Sequence, residues 1–300
     1  MNKLGARTRT LILRCLVEGN SIRATARLAD VSKVTVNKLL IDAGRACSEY
    51  HDKHVMGVRA KLVQCDEIWS FTYAKQKNVA TAKAAPADAG DTWTWTALDS
   101  ESKLVISYMV GGRDSEYAMA FMDDLRSRLA TRVQLTTDGH KAYLEAVEEA
   151  FGADIDYAML VKQYGEPTGP KTSERRYSPA VCTGAKKVWI SGEPEKALVS
   201  TSHVERQNLT MRMHMRRFTR LTNAFSKKVE NHAYAVALHF MYYNFARQHQ
   251  TLRVSPAMAA GLTDRLWGVE DIVALVERQE AAEAPKVRGP YKKTAAQISN

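Results

Sequence analysis

The chain has 300 residues, 45% of them apolar and 25% charged, a composition that excludes a disordered or fibrous protein and leaves room for one large domain or two modest ones. Its 43 Lys and Arg outnumber 33 Asp and Glu for a net charge of +10, which favours polyanionic partners, nucleic acid first among them. No run of about 18 apolar residues is present and the opening MNKLGARTRT lacks a signal-peptide apolar stretch, so the reading is a cytoplasmic, nucleoid-associated protein with no membrane partner.

Most of the positive excess lies in residues 1–60. Apolar residues recur at helical spacing over 7–18 and 21–43, with a break at Glu18-Gly19-Asn20. Ser21 reads as the N-cap of a first helix, Ile22–Ala29. Asp30-Val31-Ser32 reads as a turn, and Lys33–Ala43 as a second helix that Gly44 stops. Ala26 allows a close crossing, while Val31, Val36 and Leu39 fill the corner between the helices. This is the pattern of a helix-turn-helix over residues 1–58. Its second helix would present Lys33, Thr35, Asn37 and Lys38 to phosphates and base edges of double-stranded DNA. A plain helical hairpin packed on the next domain is the competing reading.

Strand-like runs follow at Leu62–Ser70, Thr92–Asp99 and Lys103–Val110, then a helix at Ser115–Leu129 and a strand at Arg132–Thr137. A helical stretch, Lys141–Phe151, and a strand, Ile155–Val161, precede a Gly-, Pro- and Lys-containing segment over 162–200, which is too long for an ordinary loop and reads as an insertion. Helices dominate from Ser202 to Gln248, and Val229–Phe245 is apolar enough to close a core or form a dimer seam. A helical extension spans 251–283. The basic tail, 284–300, contains RGPYKK and reads as flexible, nonspecific electrostatic attachment to DNA. The four cysteines are scattered without a C-x-x-C pair, so they read as buried thiols and not as zinc ligands or disulfides.

Three acidic residues stand out within this order. Asp66 interrupts the apolar strand KLVQCDEIWS, and strand alternation predicts that its neighbour Glu67 faces the opposite side. Asp138 ends a strand in TTDGHKAY, where ligands commonly gather in open α/β sheets. Glu205 opens the basic helix of SHVERQNLTMRMHMRR. Taken singly, each has a structural explanation as a turn cap or a helix-start acid. Their succession, on a first strand, at a fourth strand's end and on a later helix, predicts one shared site.

On these segments the chain resembles the insertion-sequence-1 family of bacterial transposases, part of the DDE group. The resemblance is carried by CDEIWSFTYAK, TTDGHKAY and HVERQNLTMRMHMRRFTRLTNAFSKKVENH, and it spans most of residues 60–250. It implies an α/β fold in which the helix-turn-helix precedes a ribonuclease-H-like mixed-sheet catalytic domain over 59–250. It further implies that Asp66, Asp138 and Glu205 hold two Mg²⁺ ions, with Mn²⁺ as a substitute. The activity implied is cleavage of element ends and joining of their 3′-hydroxyls to target DNA by a homodimer or higher oligomer. Arg212, one heptad after Glu205, matches the cation usual in such enzymes. Arg206, Asn208, Arg216 and Arg217 extend a DNA track with Arg220. His140, His203 and Trp69 are accessory candidates: the histidines for orienting a nucleophile or phosphate, the tryptophan for stacking on a displaced base. The zinc-finger segment with which many family members begin is missing before the helix-turn-helix. A ribonuclease-H-like nuclease that only hydrolyses, and a non-catalytic DNA-binding regulator, are the competing functions.

Overall fold

The structure is a computed structural model and describes residues 4–165, 181–219 and 223–283. Three helices open it: α1 (Ala6–Val17), α2 (Ile22–Leu28) and α3 (Lys33–His54). Two serines start the second and third. Ser21 Oγ accepts the Ala24 N–H at 3.1 Å, and Ser32 Oγ accepts that of Thr35 at 3.0 Å, so each satisfies an amide that has no partner within its helix. Asp30 turns the chain between them at φ 51°. Val36 and Leu39 are buried beneath the corner.

One boundary differs from the sequence reading. α3 does not stop at Gly44 but runs on to His54, 22 residues in all. A Cβ built on Gly44 would lie 2.3 Å from Cβ of Tyr234, so the glycine serves a backbone-close helix crossing instead of a helix end. Glycine costs about 1 kcal/mol inside a helix, and the crossing makes it necessary there.

The sheet contains β1 (Leu62–Thr72), β2 (Gly90–Asp99), β3 (Val105–Gly111), β4 (Gln134–Thr137), β5 (Asp156–Gly165) and β6 (Val181–Ser191), in the order β3-β2-β1-β4-β5-β6. β1 pairs antiparallel with β2 and parallel with β4. β4 and β5 are parallel, while β6 returns antiparallel to β5. The 162–200 segment is therefore in part an ordinary pairing of strands, with residues 166–180 outside the described residues. Cys47 and Cys65 are buried as expected, but Cys15 is only half-buried and Cys182 is exposed on the edge strand β6, which has a neighbour on one side only.

A short helix, α4 (Gln76–Val79), interrupts the β1–β2 connection. α5 (Ser115–Arg128) and α6 (Ala142–Phe151) pack on each other and lead into β4 and β5, while α7 (Ser202–His214) lies against β1 and β2. α8 (Val229–Met241) runs into a single π-turn at Tyr242–Ala246, then come α9 (Pro256–Ala259) and α10 (Val269–Glu283). α8 packs on α3, and its buried Val236, Leu238 and Phe240 belong to the core. α10 covers α1 and α3, where buried Arg9 makes a two-pronged bond to Glu280 at 3.0 to 3.2 Å. One apolar cluster runs from Ile12 through the sheet to Val276. The basic tail lies outside the described residues.

Candidate metal centre

Asp66 sits midway along β1, and its neighbour Cys65 is in register with Thr137, the last residue of β4. Asp138 is the next residue, so the sheet itself brings the two aspartates side by side. Asp66 Oδ1 accepts the Glu67 N–H at 2.9 Å, and Oδ2 accepts the Asn208 amide at 2.8 Å. Asp138 Oδ1 accepts the His140 N–H at 2.9 Å.

Glu67 joins them, contrary to the expectation from alternation. One carboxylate oxygen from each of Asp66, Glu67 and Asp138 lies within 4.8 Å of the other two. The pleat separates consecutive side chains of β1, but Asp138 lies beyond the last paired residue of β4 and is released from that constraint. Glu67 is fully buried at the side chain and accepts from Arg113 Nε at 3.1 Å. The same guanidinium lies 3.7 Å from Asp138 and 4.6 Å over the Trp93 ring.

Glu205 approaches from α7. Thr201 donates to it, and Lys162 of β5 pairs with it at 2.5 Å. It stands outside the 4.8 Å cluster, yet its charge reaches Asp66. Burial first, then the charge of Asp138 and more weakly that of Glu205, push Asp66 up to about 7 against the opposing bonds from Glu67 and Asn208. Glu67 is likewise raised to about 7 by burial and then by Asp138. Buried carboxylates that repel one another are relieved by a proton or by a cation, and their hard oxygens suit a divalent one with oxygen preference.

Comparisons with known proteins add little to this geometry. No family model and no curated protein match the chain. Among solved structures, the chain is similar to the Mos1 transposase in a paired-end complex with the left transposon end, at 16% identity over 52% of this chain and 60% of that one, with a TM-score of 0.22. A pre-cleavage Mos1 transpososome matches over the same shares at 15% identity and a TM-score of 0.21. The piggyBac transposase, in a synaptic complex with hairpin DNA, matches at 10% identity over 94% of this chain and 73% of that one, with a TM-score of 0.36. The chain thus spans less than two thirds of the Mos1 chains.

Among the described residues, no accessory candidate makes a side-chain hydrogen bond to the carboxylates. His140 packs its ring against Trp95 and Tyr143, with Nε2 buried and unpartnered. His203, on the far side of α7's first turn, accepts from Lys103 Nζ at 3.2 Å. Trp69 lies 5.9 Å from Phe71 and, two residues on from Glu67, shares that residue's alternation phase instead of that of Asp66. Asn208 is buried and serves as a donor to Asp66. Arg113 and Lys162 were missed by the sequence reading: the first follows a glycine pair in a loop, and the second extends a strand that the apolar run alone ends at Val161.

The two basic sets expected separately meet in space. Lys33 and Asn37 of α3 share a cleft of about 920 Å³ with Arg216 and Arg217, joined by Arg23 and Lys227. Arg217 Nε donates to Ser226 Oγ at 2.7 Å, and burial lowers its guanidinium to about 10, leaving it charged at neutral pH. Thr35 turns its hydroxyl to Ser32 at 2.9 Å, Lys38 and Arg206 are exposed, and Arg212 is exposed on α7 seven residues after Glu205. Arg220 lies outside the described residues.

Proposed function

We propose that this chain is a DNA transposase of the DDE group, with a ribonuclease-H-like core and an affinity to the insertion-sequence-1 family, acting on double-stranded DNA as at least a dimer. The observation that carries the reading is the meeting of Asp66 and Asp138, from adjacent parallel strands, in one carboxylate cluster with Glu67, with Glu205 on α7 outside that cluster but close enough for its charge to act on Asp66. Three antiparallel strands followed by two parallel ones, with Asp66 on the first and Asp138 just past the end of the fourth, are the order expected of such a core, to which β6 adds an antiparallel edge.

Two divalent ions, Mg²⁺ or Mn²⁺, would activate a hydroxyl or water nucleophile and stabilise the leaving oxygen of a phosphodiester. Asp66 and Asp138 would hold them from the sheet and Glu205 from α7. Asn208 fixes the rotamer of Asp66 through its amide. Arg113 holds Glu67 and faces Asp138, so it limits the charge at the rear of the centre. Lys162 occupies Glu205 and must yield it when a cation enters. The cleft beside α3 would guide the DNA backbone, with the capped start of α3 as the reading element and Arg212 near the phosphate.

The test is strand transfer. Purified protein with Mg²⁺ and element-end DNA should join that end to a plasmid, and Asp66→Asn, Asp138→Asn and Glu205→Gln should each abolish joining while DNA binding persists. Joining that survives all three substitutions refutes the assignment. Cleavage without joining would indicate a nuclease, and binding without either a regulator.

A further inference from the structure

Behind α7, on the side away from the carboxylates, lies a second cavity of about 350 Å³. Lys103, His203, Arg206, Gln207, Arg247 and His249 supply its polar wall, and no Asp or Glu lines it. Cations gathered without counter-ions repel one another. Asp99, at the end of β2, and Glu101, in the turn that follows, act on Lys103 from outside the cavity.

Three further observations point inward. Gln207 is 2% exposed and its amide nitrogen has no acceptor, while Nδ1 of His249 is likewise buried and unpartnered. A buried polar atom left unpaired costs about 1–3 kcal/mol, and both residues line the cavity. Lys103 has φ 62°, a left-handed conformation that a long side chain adopts at a cost and that functional sites commonly retain. The far wall is set by the π-turn Tyr242–Ala246, which delivers Arg247 and His249 to the cavity, and such turns often mark functional positions. Burial, and after it the nearby cations, keep both histidines below their ordinary range.

From this wall we infer an anion site for a phosphate group, either a backbone phosphate of a DNA strand or free phosphate. Lys103, Arg206 and Arg247 supply the charge, and Gln207 and His249 supply directed hydrogen bonds. His203, expected from sequence beside the metals, belongs here. The site stands on its own lining and does not depend on the carboxylates, so Asp138→Asn should leave it intact.

The test titrates inorganic phosphate, and separately a fluorescent duplex over a range of salt, into the wild-type chain and into Lys103→Asn, Arg247→Gln and Gln207→Leu. Asn tolerates the left-handed turn, so the first variant removes charge without adding strain. Thr210→Glu, at the half-buried rim, adds a carboxylate while removing no packing, and covers the case in which a truncation fails to fold. If the source is free phosphate, each variant binds it at least about tenfold more weakly and duplex affinity is unchanged. If the source is DNA, each charge variant weakens the duplex and lowers the dependence of log affinity on log salt by about one. Folded variants, Thr210→Glu included, that match wild type with both probes overturn the site.

Discussion

At the scale of single residues, the centre is governed by where carboxylates lose their protons. Asp66 and Glu67, both raised to about 7, keep a share of their protons at neutral pH, and a metal must displace them. Mn²⁺ affinity, followed by electron paramagnetic resonance, should therefore rise between pH 6 and 8 and flatten above. Asp138→Asn removes the leading charge acting on Asp66, so it should shift this rise to lower pH even as it weakens the plateau. Affinity that is flat across the window would contradict the burial argument. Glu67 is a sharper case. Its partner is Arg113, and Glu67→Gln would leave that guanidinium to Asp138. End joining by this variant should fall on the order of tenfold, well short of the loss expected for Asp66→Asn, with the metal dependence moved to higher concentration. Sequence alternation predicts unequal roles for the two but missed their proximity, because it does not register that Asp138 lies past the end of a four-residue strand.

Among the elements, the helices at the N-terminus show how a local rule is overridden. Serine caps at Ser21 and Ser32 were legible because the cap is a bond within a few residues. The end of α3 was not legible. Gly44 has the local character of a stop, but its use is to let Tyr234 approach within a distance no Cβ would permit. Gly44→Ala tests this directly. An exposed mid-helix position would gain about 1 kcal/mol from the change, whereas here overpacking should destabilise the chain by about 1–3 kcal/mol, measured as urea unfolding followed by circular dichroism. A gain would show that α3 and α8 do not meet as described. The strands of the sheet were legible to within a few residues, since apolar runs and turn residues mark them. Only the return of β6 was hidden, because the segment before it lacks a strand pattern.

For the whole molecule, stability against pH has two opposing sets of groups. Burial holds His51 down to about 4 and both His232 and His239 to about 3, below their ordinary 6.5. The unfolded chain takes up these protons first, so their stabilisation is present above about pH 6.5 and is lost as pH falls. Asp66 and Glu67 have the reverse sign: raised in the folded state, they add stability at low pH that disappears as pH climbs through about 7. Each proton difference changes stability by about 1.4 kcal/mol per pH step. Burial also lowers His140, His203, His214 and His249, so the metal-free protein should lose stability in acid, where the lowered histidines outnumber the two raised carboxylates. His239 has both ring nitrogens buried and unpartnered, so His239→Phe should lower the acid-unfolding midpoint and raise stability at pH 7 by about 1 kcal/mol. A midpoint that stays in place would mean the ring is hydrated. Among the described residues no helix is long and apolar enough to cross a membrane.

The sequence by itself determined the α/β order, the serine-capped helix pair and the succession of Asp66, Asp138 and Glu205, because caps, periodicity and strand-end acids are written within a few neighbouring residues. Tertiary structure decided which groups share a space. It placed Arg113 and Glu67 behind the aspartates, set Lys162 on Glu205, turned His203 and Arg206 into a separate cationic cavity, and joined Lys33 and Asn37 to Arg216 and Arg217 across one cleft. Such meetings depend on strand register and helix crossing, which bring together residues far apart in the chain, and local pattern does not encode those distances.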